Sequence, residues 1–529
     1  MDKVMEPVDV VIVGAGAAGS VYAAILAEAG KRVLVLERGP ARKMSDLYSS
    51  QIWARRLKWA SPEVVEAGPD SIWFNFNAGR GFGGAAIHHY AVWPRMHTED
   101  FREHTLYGRG IDWPIEYNDL RPYYDKVQRD VGMSGDAAKE IWRPPGEPYP
   151  LPPVLVTNHG KVLAKGFEAL NMHTAPIPMA VLSQPYNGRP ACLWDGWCDA
   201  GCPIGALANP LAVYFPRALK AGAHMQADAA VTRVLTDKSG KKATGVEYYT
   251  AKGEKVTQPA SAVVLTAFTV ENSRILLNSA TDAQPKGVGN SSGLVGRYLM
   301  VHPAVIISGM FQEEMQNYVG ATGGQLLCQD PYPKKGDPGG AFGSRQWEIG
   351  LMLKPNDLLG VAMANPTIFG ADLHKFMLDG ARFMGSMVGV CEDQPVLDNR
   401  IEPDPSRKDA YGMPLARIVY KQSDDGRRLW KTASEQGVKI FKAAGAREAW
   451  PGAPAGQHVM GGTILGKDPA SSVLNANSQS HDVHNLFVGG PGVFPTSSSV
   501  NSTFTAHALA MKSAEYLAAR DSSRTRRRR

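Results

Sequence analysis

The chain has 529 residues, of which 44% are hydrophobic, and a formal net charge of +6 at neutral pH. This length and composition are typical of a globular protein with a large core, which we expect to be divided between two interleaved domains. Five of the positive charges lie in a basic tail at 524–529, so the rest of the chain is nearly neutral and nucleic-acid binding is not expected. Such a tail is usually disordered, and the alternative is a contact with an acidic partner or an anionic membrane.

No run of about 18 apolar residues occurs in the sequence, so no transmembrane helix is expected and any membrane association would be through partners. Because only Met1–Pro7 precede the first predicted strand, there is no room for a signal peptide. We therefore expect a chain that is exported to the periplasm, already folded, with a partner that carries the signal. A cytoplasmic chain is the alternative.

The N-terminal segment has the pattern of a βαβ dinucleotide-binding unit. Val8–Val13 is a nearly continuous β-branched run, which is typical of a buried parallel strand. A helix is predicted over 20–29 and a second strand over 31–37. The glycine pattern Gly-x-Gly-x-x-Gly fills the turn between the first strand and the helix, at Gly14–Gly19.

Each glycine of this turn has an expected role. Gly14 permits the tight turn, Gly16 lets the backbone approach a pyrophosphate, and Gly19 allows the helix to pack closely on the strand. The pyrophosphate is expected at the helix N-terminus, and Glu37 at the end of the second strand is expected to accept a hydrogen bond from a ribose hydroxyl. The motif alone does not distinguish NAD from FAD.

A second glycine-rich segment at 79–90 contains Gly83 and Gly84. Because glycine has no side chain, the backbone of this segment could pass close to the ring or phosphate of a cofactor. The alternative is a loop with no ligand. His88 and His89 follow. On an extended segment adjacent side chains point to opposite faces, so at most one of these histidines is expected to face a cofactor.

The middle of the chain contains a proline-rich segment at 142–153, where we expect the chain to cross between domains. The segment 330–340 is predicted to be a surface loop near a substrate entrance. Residues 231–234, 244–249 and 262–265 are predicted to be strands of one sheet.

Three of the five cysteines, Cys192, Cys198 and Cys202, form a C-x5-C-x3-C cluster. A zinc site commonly has four ligands and a C-x2-C pair, so it fits poorly. A disulfide with one free thiol, or three unrelated buried cysteines, stay open. An iron–sulfur cluster needs cysteinates that converge from a loop shaped by proline and glycine, and both residue types follow the third cysteine. A fourth ligand would have to be Cys328 or Cys391.

The C-terminal part contains His458 within a run of small residues. Residues 484–491 are predicted to form a strand that ends in a glycine turn, and a helix is predicted to begin near Asn501. Its apolar stripe is marked by Val500, Phe504, Ala508, Met511 and Leu517. Asn501 is expected in the first turn, where the positive end of the helix dipole can stabilise a reduced flavin.

Alcohol oxidation requires a base for the hydroxyl proton and an acceptor for the hydride. Histidine suits the first task and the N5 atom of a flavin suits the second. A lone histidine such as His458 is more often structural, and the alternative is that it acts as this base. Asn501 could orient the substrate oxygen by hydrogen bonding.

Together these segments resemble the glucose–methanol–choline (GMC) oxidoreductases. The matching segments are Gly14–Gly19 with Glu37, Gly83–Gly84, Ser291–Pro303, His458 and Gly489–Asn501. The resemblance is strongest to the flavoprotein large subunits of bacterial FAD-dependent sugar dehydrogenases of the glucose, fructose and gluconate type. In that branch a C-x5-C-x3-C-P-I-G-A segment holds a 3Fe-4S cluster, and 192–206 matches it.

The resemblance implies a mixed α/β fold in which a Rossmann-like FAD-binding domain is interleaved with an antiparallel-sheet substrate-binding domain. FAD-binding parts are expected at 1–145, 191–300 and 471–520, substrate-binding parts at 146–190 (with the linker) and 301–470, and the basic tail at 521–529. The expected cofactor-binding residues are Gly14, Gly16, Ala18, Gly19, Glu37, Arg38, Gly83, Gly84, His88, Val231, Gly490 and Asn501.

The resemblance also implies that His458 and Asn501 form the catalytic pair, that Cys192, Cys198 and Cys202 are the cluster ligands, and that the partners are a small signal-bearing subunit and a cytochrome c. His88 stands where related pyranose oxidases attach FAD covalently. Two departures concern the substrate: Val301 replaces a common Asp, and 456–457 reads Gly-Gln where Asn-Asn is typical.

The expected function is therefore that of an FAD-dependent dehydrogenase. It would oxidise a hydroxyl group of a sugar, glycoside or polyol and pass electrons through the iron–sulfur cluster to a haem c acceptor. An oxidase of the same fold that uses O2 is one alternative, and a non-catalytic flavin electron-transfer subunit is another.

Overall fold

The computed structural model describes residues 3–59, 63–363 and 367–526. Its strands are β1 (Lys3–Val4), β2 (Val8–Val13), β3 (Val33–Leu36), β4 (Val64–Glu66), β5 (Ala175–Pro176), β6 (His224–Gln226), β7 (Ala229–Thr236), β8 (Ala243–Thr250), β9 (Lys255–Leu265), β10 (Met300–Met310), β11 (Leu326–Cys328), β12 (Arg345–Ile349), β13 (Met384–Cys391), β14 (Arg400–Lys408), β15 (Pro414–Val419), β16 (Glu448–Pro451), β17 (Ala455–Met460) and β18 (Leu486–Val488).

The α-helices are α1 (Ala17–Glu28), α2 (Gln51–Trp59), α3 (Phe74–Asn77), α4 (Glu103–Tyr107), α5 (Tyr117–Val131), α6 (Asn158–Ala169), α7 (Tyr214–Lys220), α8 (Thr269–Asn278), α9 (Pro355–Met363), α10 (Ala371–Phe383), α11 (Asp424–Ala443) and α12 (Thr503–Arg526). Short 3-10 helices lie at Met44–Asp46, Gly84–Ile87, Thr98–Arg102, Cys198–Ala200 and Pro491–Val493. Among the described helices, none has the length and apolar composition needed to cross a membrane.

The first sheet has eight strands, in the order β6-β3-β2-β9-β8-β7, with β1 and β18 also paired to β9. The pairs β6–β3, β3–β2, β2–β9 and β9–β18 are parallel, whereas β7, β8 and the first half of β9 form an antiparallel meander. The apolar run of β2 is buried from Val10 to Val13, as expected for a parallel strand that is covered on both faces. Helix α1 connects β2 to β3 and packs against α7 and α12.

The second sheet has seven strands, in the order β16-β10-β13-β12-β11-β5, with β17 also paired to β10, and its pairings are antiparallel. Strand β13 is buried along its whole length, because helix α11 packs against it and β10. A third, smaller sheet has the order β14-β15-β4. The predicted fold class is therefore confirmed, with a Rossmann-like parallel sheet and a separate antiparallel sheet. The expected domain boundaries remain predictions.

Several local predictions are confirmed and others are wrong. The strands predicted at 231–234, 244–249 and 262–265 lie within β7, β8 and β9. Helix α1 begins at Ala17 instead of residue 20, because Gly16 already caps it with extended backbone. The tail was expected to be disordered, but α12 continues to Arg526; 527–529 lie outside the described residues.

The segment 330–340 is only partly a surface loop. Lys334 is fully buried, and its Nζ lies 2.7 Å from Glu392 Oε2 and 2.8 Å from Asp100 Oδ1. Buried charges are found where they are paired, and this lysine anchors the loop to the core. The loop is therefore fixed at its centre, while most of the residues after Lys334 are exposed.

Replacing Gly19 by alanine should destabilise the protein, because a Cβ at this position would lie 2.1 Å from Gly14 O and 2.8 Å from Thr266 Oγ1. Overpacking of this kind costs about 1–3 kcal/mol, so the melting temperature of Gly19→Ala should fall. Gly360 in α9 is the matched control, since a Cβ there would meet no atom within 4 Å. Gly360→Ala should be neutral or stabilising by up to about 1 kcal/mol. Equal melting temperatures for wild type and Gly19→Ala would contradict the packing argument.

Candidate active site

A cavity of about 270 Å³ lies between the carboxyl ends of β2, β3 and β9 and the second sheet. It is bordered by the β2–α1 turn, the Gly84–Ile87 helix, β12, β17 and the residues before α12. Ligands of open parallel sheets bind at the carboxyl ends of the strands, so this is the expected place for a cofactor. Most of the expected cofactor-binding residues line it: Gly14, Gly16, Ala18, Glu37, Arg38, Gly84, His88, Val231, Gly490 and Asn501.

Two of the expected cofactor-binding residues do not line this cavity. Gly19 lies against Gly14 O and Thr266, so it allows the helix to pack closely on the strand, as expected. Gly83 was expected at the cofactor, but its amide donates to Ala15 O at 2.8 Å and a Cβ on it would collide with Ile87. Both glycines therefore shape the cavity wall from behind.

The glycine turn fits the pyrophosphate of a dinucleotide. Gly16 caps α1, lines the cavity, and a Cβ added to it would meet no atom within 4 Å, so its bare face is turned to open space. Gly84 comes so close from the second glycine segment that a Cβ on it would lie 3.0 Å from Gly16 Cα. Bare backbone at a helix N-terminus offers free N–H groups and a positive dipole end to a phosphate.

Glu37 joins three backbone segments at the edge of the cavity. Its carboxylate accepts hydrogen bonds from the amides of Ala15 at 2.9 Å, Gly39 at 2.8 Å and Gly81 at 2.8 Å. Charged acceptors form the stronger hydrogen bonds, so Glu37 holds the two glycine segments together. Its expected bond to a ribose remains a prediction.

The extended backbone assumed for the two adjacent histidines is wrong, while the expectation that at most one of them faces a cofactor stays a prediction. The backbone forms a 3-10 helix up to Ile87 and is not extended, and His88 and His89 both border the cavity. His89 Nε2 donates to Ala208 O at 2.7 Å, and His89 Nδ1 accepts from the Ala91 amide at 3.2 Å. Burial lowers the pKa of His89 to about 4, so its imidazole is neutral.

His458 occupies a β-bulge between β10 and β17. Val301 pairs with Val459 and His302 with Gln457, which leaves His458 as the extra residue, with a φ of 59°. Its amide, which the ladder cannot pair, donates to Asn77 Oδ1 at 2.8 Å. Bulges re-aim side chains beside active sites, and here the bulge turns His458 into the cavity.

The structure brings His458 and Asn501 together as expected, since Asn501 Nδ2 lies 3.4 Å from His458 Nε2. The location of Asn501 differs from the prediction. Helix α12 begins at Thr503, so Asn501 precedes the first turn and does not belong to it. The expected apolar stripe of this helix, from Val500 to Leu517, is buried.

His302, which the sequence analysis did not single out, determines the tautomer of His458. His302 Nε2 lies 3.2 Å from the Ser497 carbonyl oxygen, which can only accept, so Nε2 carries the hydrogen. Burial lowers the pKa of His302 to about 4, so its Nδ1 is an acceptor. His458 Nδ1, at 3.0 Å, must then be the donor. The lone pair of His458 is thereby left on Nε2, beside Asn501.

Burial, reinforced by the neighbouring His302, lowers the pKa of His458 well below its usual value. The imidazole is therefore neutral around pH 7, and its Nε2 is available to take a proton. This is the protonation state that a general base requires before the reaction.

A chain of side-chain amides orients Asn501. Gln346 Nε2 donates to Asn501 Oδ1 at 3.0 Å, and Gln329 Nε2 donates to Gln346 Oε1 at 2.9 Å. His97 Nε2 lies 3.1 Å from Gln329 Oε1. Because the Asn501 oxygen is occupied by a donor, its Nδ2 must face His458. Glu348 also lines this end of the cavity, and burial raises its pKa to about 7.

The sequence contains a signal for these missed residues. Strand β12 reads Arg-Gln-Trp-Glu-Ile, so Gln346 and Glu348 alternate with the core residues Trp347 and Ile349. In a strand, alternate side chains share a face. Polar residues at every second position of a short buried strand therefore indicate that one face of the strand borders a polar cavity or a functional site.

The three clustered cysteines lie in one loop as free thiols. The Trp194 amide donates to Cys192 Sγ at 3.3 Å and the Leu207 amide to Cys202 Sγ at 3.4 Å. Burial raises the pKa of Cys198 to about 11. Within the part of the chain that the structure describes, no group of three or more His, Cys, Asp or Glu side chains is arranged to hold a metal ion. Cys328 and Cys391 belong to the core of the second sheet.

Known proteins resemble the chain along its whole length. The N-terminal GMC oxidoreductase family model matches residues 8–304, and the C-terminal model matches 395–510. A 2-methyl-1,2-propanediol dehydrogenase of Mycolicibacterium austroafricanum is 31% identical over 97% of this chain and 96% of its own length. The fructose dehydrogenase large subunit of Gluconobacter japonicus is 29% identical over 96% of this chain and 97% of its own length.

The fold is shared with a solved pyridoxine 4-oxidase from Mesorbium loti, at a TM-score of 0.69 and 18% identity, over 96% of this chain and 98% of that one. The family models cover both the glycine turn and the segment that carries His458 and Asn501. The cofactor that the fingerprint left open is therefore FAD, and the chain belongs to the family of GMC oxidoreductases, which are FAD-dependent enzymes.

Proposed function

We propose that this enzyme is a dehydrogenase that oxidises a hydroxyl group of a sugar, glycoside or polyol. The observation that carries the proposal is the pairing of a neutral His458, whose free lone pair is on Nε2, with an amide group of Asn501 fixed by hydrogen bonds. Both residues line the cavity that is also bordered by the glycine turn between β2 and α1. Two relatives that cover 97% and 96% of this chain are named for a diol and a sugar as substrates.

Different residues of the chain would bind the cofactor, take the proton and orient the substrate. The glycine turn at Gly14–Gly19 and Glu37 would hold the FAD, which when bound supplies a hydride acceptor. His458 Nε2 takes the hydroxyl proton, and Asn501 Nδ2 donates a hydrogen bond to the substrate oxygen. His302 keeps the hydrogen of His458 on Nδ1, so that the lone pair is on Nε2.

The expected route for the electrons after FAD is part of this proposal. We infer that Cys192, Cys198 and Cys202 bind a 3Fe-4S cluster that passes electrons to a haem c protein. Support comes from the spacing of the thiols and from the amides that donate to two of the sulfurs, since such hydrogen bonds tune iron–sulfur sites. The thiols are close enough to raise one another's pKa values, although among the described residues they are not arranged to hold a metal ion.

We also propose that the chain works as one subunit of a complex, with a small signal-bearing subunit and a cytochrome c, and reaches the periplasm with them. A relative that covers 96% of this chain is named as a large subunit, which supports this arrangement. Co-purification and cell fractionation after coexpression with the neighbouring genes would test it.

An oxidase of the same fold that uses O2 is the second candidate. Oxygen consumption and hydrogen peroxide formation, measured beside reduction of an artificial acceptor, distinguish the two candidates.

Replacing His458 by alanine should lower kcat by roughly 10²–10⁴-fold, because a positioned base contributes that much. Asn501→Ala should have a smaller effect, since the base remains. Flavin absorbance of the purified variants should be unchanged and is the control for cofactor binding. Near-normal turnover in His458→Ala would show that another group takes the proton. A flavin-loaded wild-type protein that oxidises no alcohol would indicate an electron-transfer subunit.

Replacing His302 by leucine should reduce kcat/KM and move its acidic limb to higher pH. The neutral form of His458 is active and is lost as the pH falls through its pKa, which His302 helps to lower. Removing His302 therefore raises that pKa. His302→Asn should restore part of the rate, because its side-chain oxygen can accept from His458 Nδ1. An unchanged pH profile in His302→Leu would contradict this role.

Each of the three cysteines, replaced singly by serine, should abolish iron binding and slow electron delivery to cytochrome c. Reduction of the bound FAD by substrate should persist, because it precedes the cluster. Iron and acid-labile sulfide analysis of anaerobically purified protein provides the measurement, with Cys391→Ser, in the core of the second sheet, as the control. Zinc, or no metal, in a preparation fully active with cytochrome c would refute the cluster.

A further inference from the structure

We propose that Glu348 forms a subsite that binds a second hydroxyl group of the substrate, on the carbon next to the one that is oxidised. The substrates would then be vicinal diols and polyols, in preference to monoalcohols and to acids. This inference rests on the proposed function, because it takes the reacting hydroxyl to lie between His458 and Asn501.

The position of Glu348 follows from strand β12. Trp347 and Ile349 point into the core of the second sheet, and Glu348 on the opposite face lines the cavity. Gln346 Nε2 donates both to Asn501 Oδ1 at 3.0 Å and to Glu348 Oε1 at 3.3 Å. The carboxyl group and Asn501 therefore share one amide, and Glu348 lies beside the group that orients the reacting oxygen.

The carboxyl group of Glu348 is buried and receives amide donors, but no cation of the described residues neutralises it. The residue is only 3% exposed, and among the described residues no cation lies within 4 Å of its oxygens. Burial raises its pKa to about 7, and only hydrogen bonds to Asn501 and Gln346 oppose that effect. An isolated buried carboxyl group is costly, and such groups in cavities are candidates for ligand contacts.

Two other buried carboxyl groups, those of Glu392 and Asp393, are satisfied by protein donors. Glu392 receives Lys334 and Ser344, and Asp393 receives the hydroxyls of Tyr420 and Ser423. Glu348 differs because it is next to His458 and Asn501, and because the protein donors to its carboxyl group are two side-chain amides, Gln346 at 3.3 Å and Asn501. What it lacks is a donor from the cavity, and a hydroxyl group is a small neutral donor.

The chemistry of this subsite discriminates between substrate classes. A neighbouring hydroxyl can donate to the carboxyl group, and hydrogen bonds to charged groups contribute about 1.5–3 kcal/mol. A methyl group in the same place leaves the carboxyl group unpaired, which is penalised more strongly than a lost contact. A carboxylate substrate is repelled by the charge.

The test compares substrates that differ by one hydroxyl, using the FAD-loaded enzyme and an artificial acceptor. One pair is 2-methyl-1,2-propanediol and 2-methyl-1-propanol, and a second is a sugar and its deoxy analogue at the carbon next to the oxidation site. The measured quantity is the ratio of kcat/KM within each pair, which does not depend on the fraction of folded enzyme. Wild type should favour the hydroxylated member, and Glu348→Gln and Glu348→Leu should reduce that ratio by about 10–100-fold.

Glu140 provides the matched control. It is buried, its pKa is raised to about 7 by burial, and it accepts from the Tyr149 hydroxyl at 2.7 Å away from the cavity. Glu140→Gln should leave the ratio unchanged. If wild type oxidises both members of each pair equally well, or if the Glu348 variants lose activity on both equally, the inference is wrong while the proposed function stands. If wild type oxidises neither member of any pair, the proposed function itself fails.

Discussion

The active site depends on the β-bulge in which β17 pairs with β10. A regular ladder would place His458 and its neighbours on alternating faces of the sheet, and the histidine could not approach both His302 and Asn501. The extra residue takes a left-handed conformation, with φ 59°, that is uncommon outside glycine. Such strain persists only where surrounding contacts fix it, and Asn77, which accepts from the bulged amide, is one of those contacts.

The two sheets contribute different functions to the same cavity. The parallel sheet supplies the glycine turn and Glu37, which are backbone-directed features that suit any dinucleotide. The antiparallel sheet supplies His302, Gln346 and Glu348, whose side chains surround His458 and Asn501. Because the second set lies on rigid strands, its geometry is fixed before a ligand binds.

The sequence predicted those features that depend on neighbours along the chain. The βαβ unit and its glycines are local patterns, so their positions were right to within a few residues. The pairing of His458 with Asn501 was predicted from the resemblance and from the chemistry of the residue types. His302 was missed because its role arises from strand pairing and burial, which no local pattern encodes. Glu348 was missed although the alternation of polar and core residues in β12 is a local signal for it. The extended backbone assumed at His88 and His89 was wrong, since a short helix precedes them.

The topology of the first sheet also determines at which stage of translation the cofactor site can be completed. Strand β9 has β2 on one side and β18 on the other, and α12 packs on α1, so the earliest and latest segments of the chain meet in one layer. Domains generally begin to fold as the chain emerges from the ribosome. Here the layer stays incomplete until residue 488 has been synthesised, and the wall that carries Asn501 forms later still. The cofactor site is thus finished only when translation is nearly complete, and a prematurely terminated chain would have the glycine turn without the wall that closes over it.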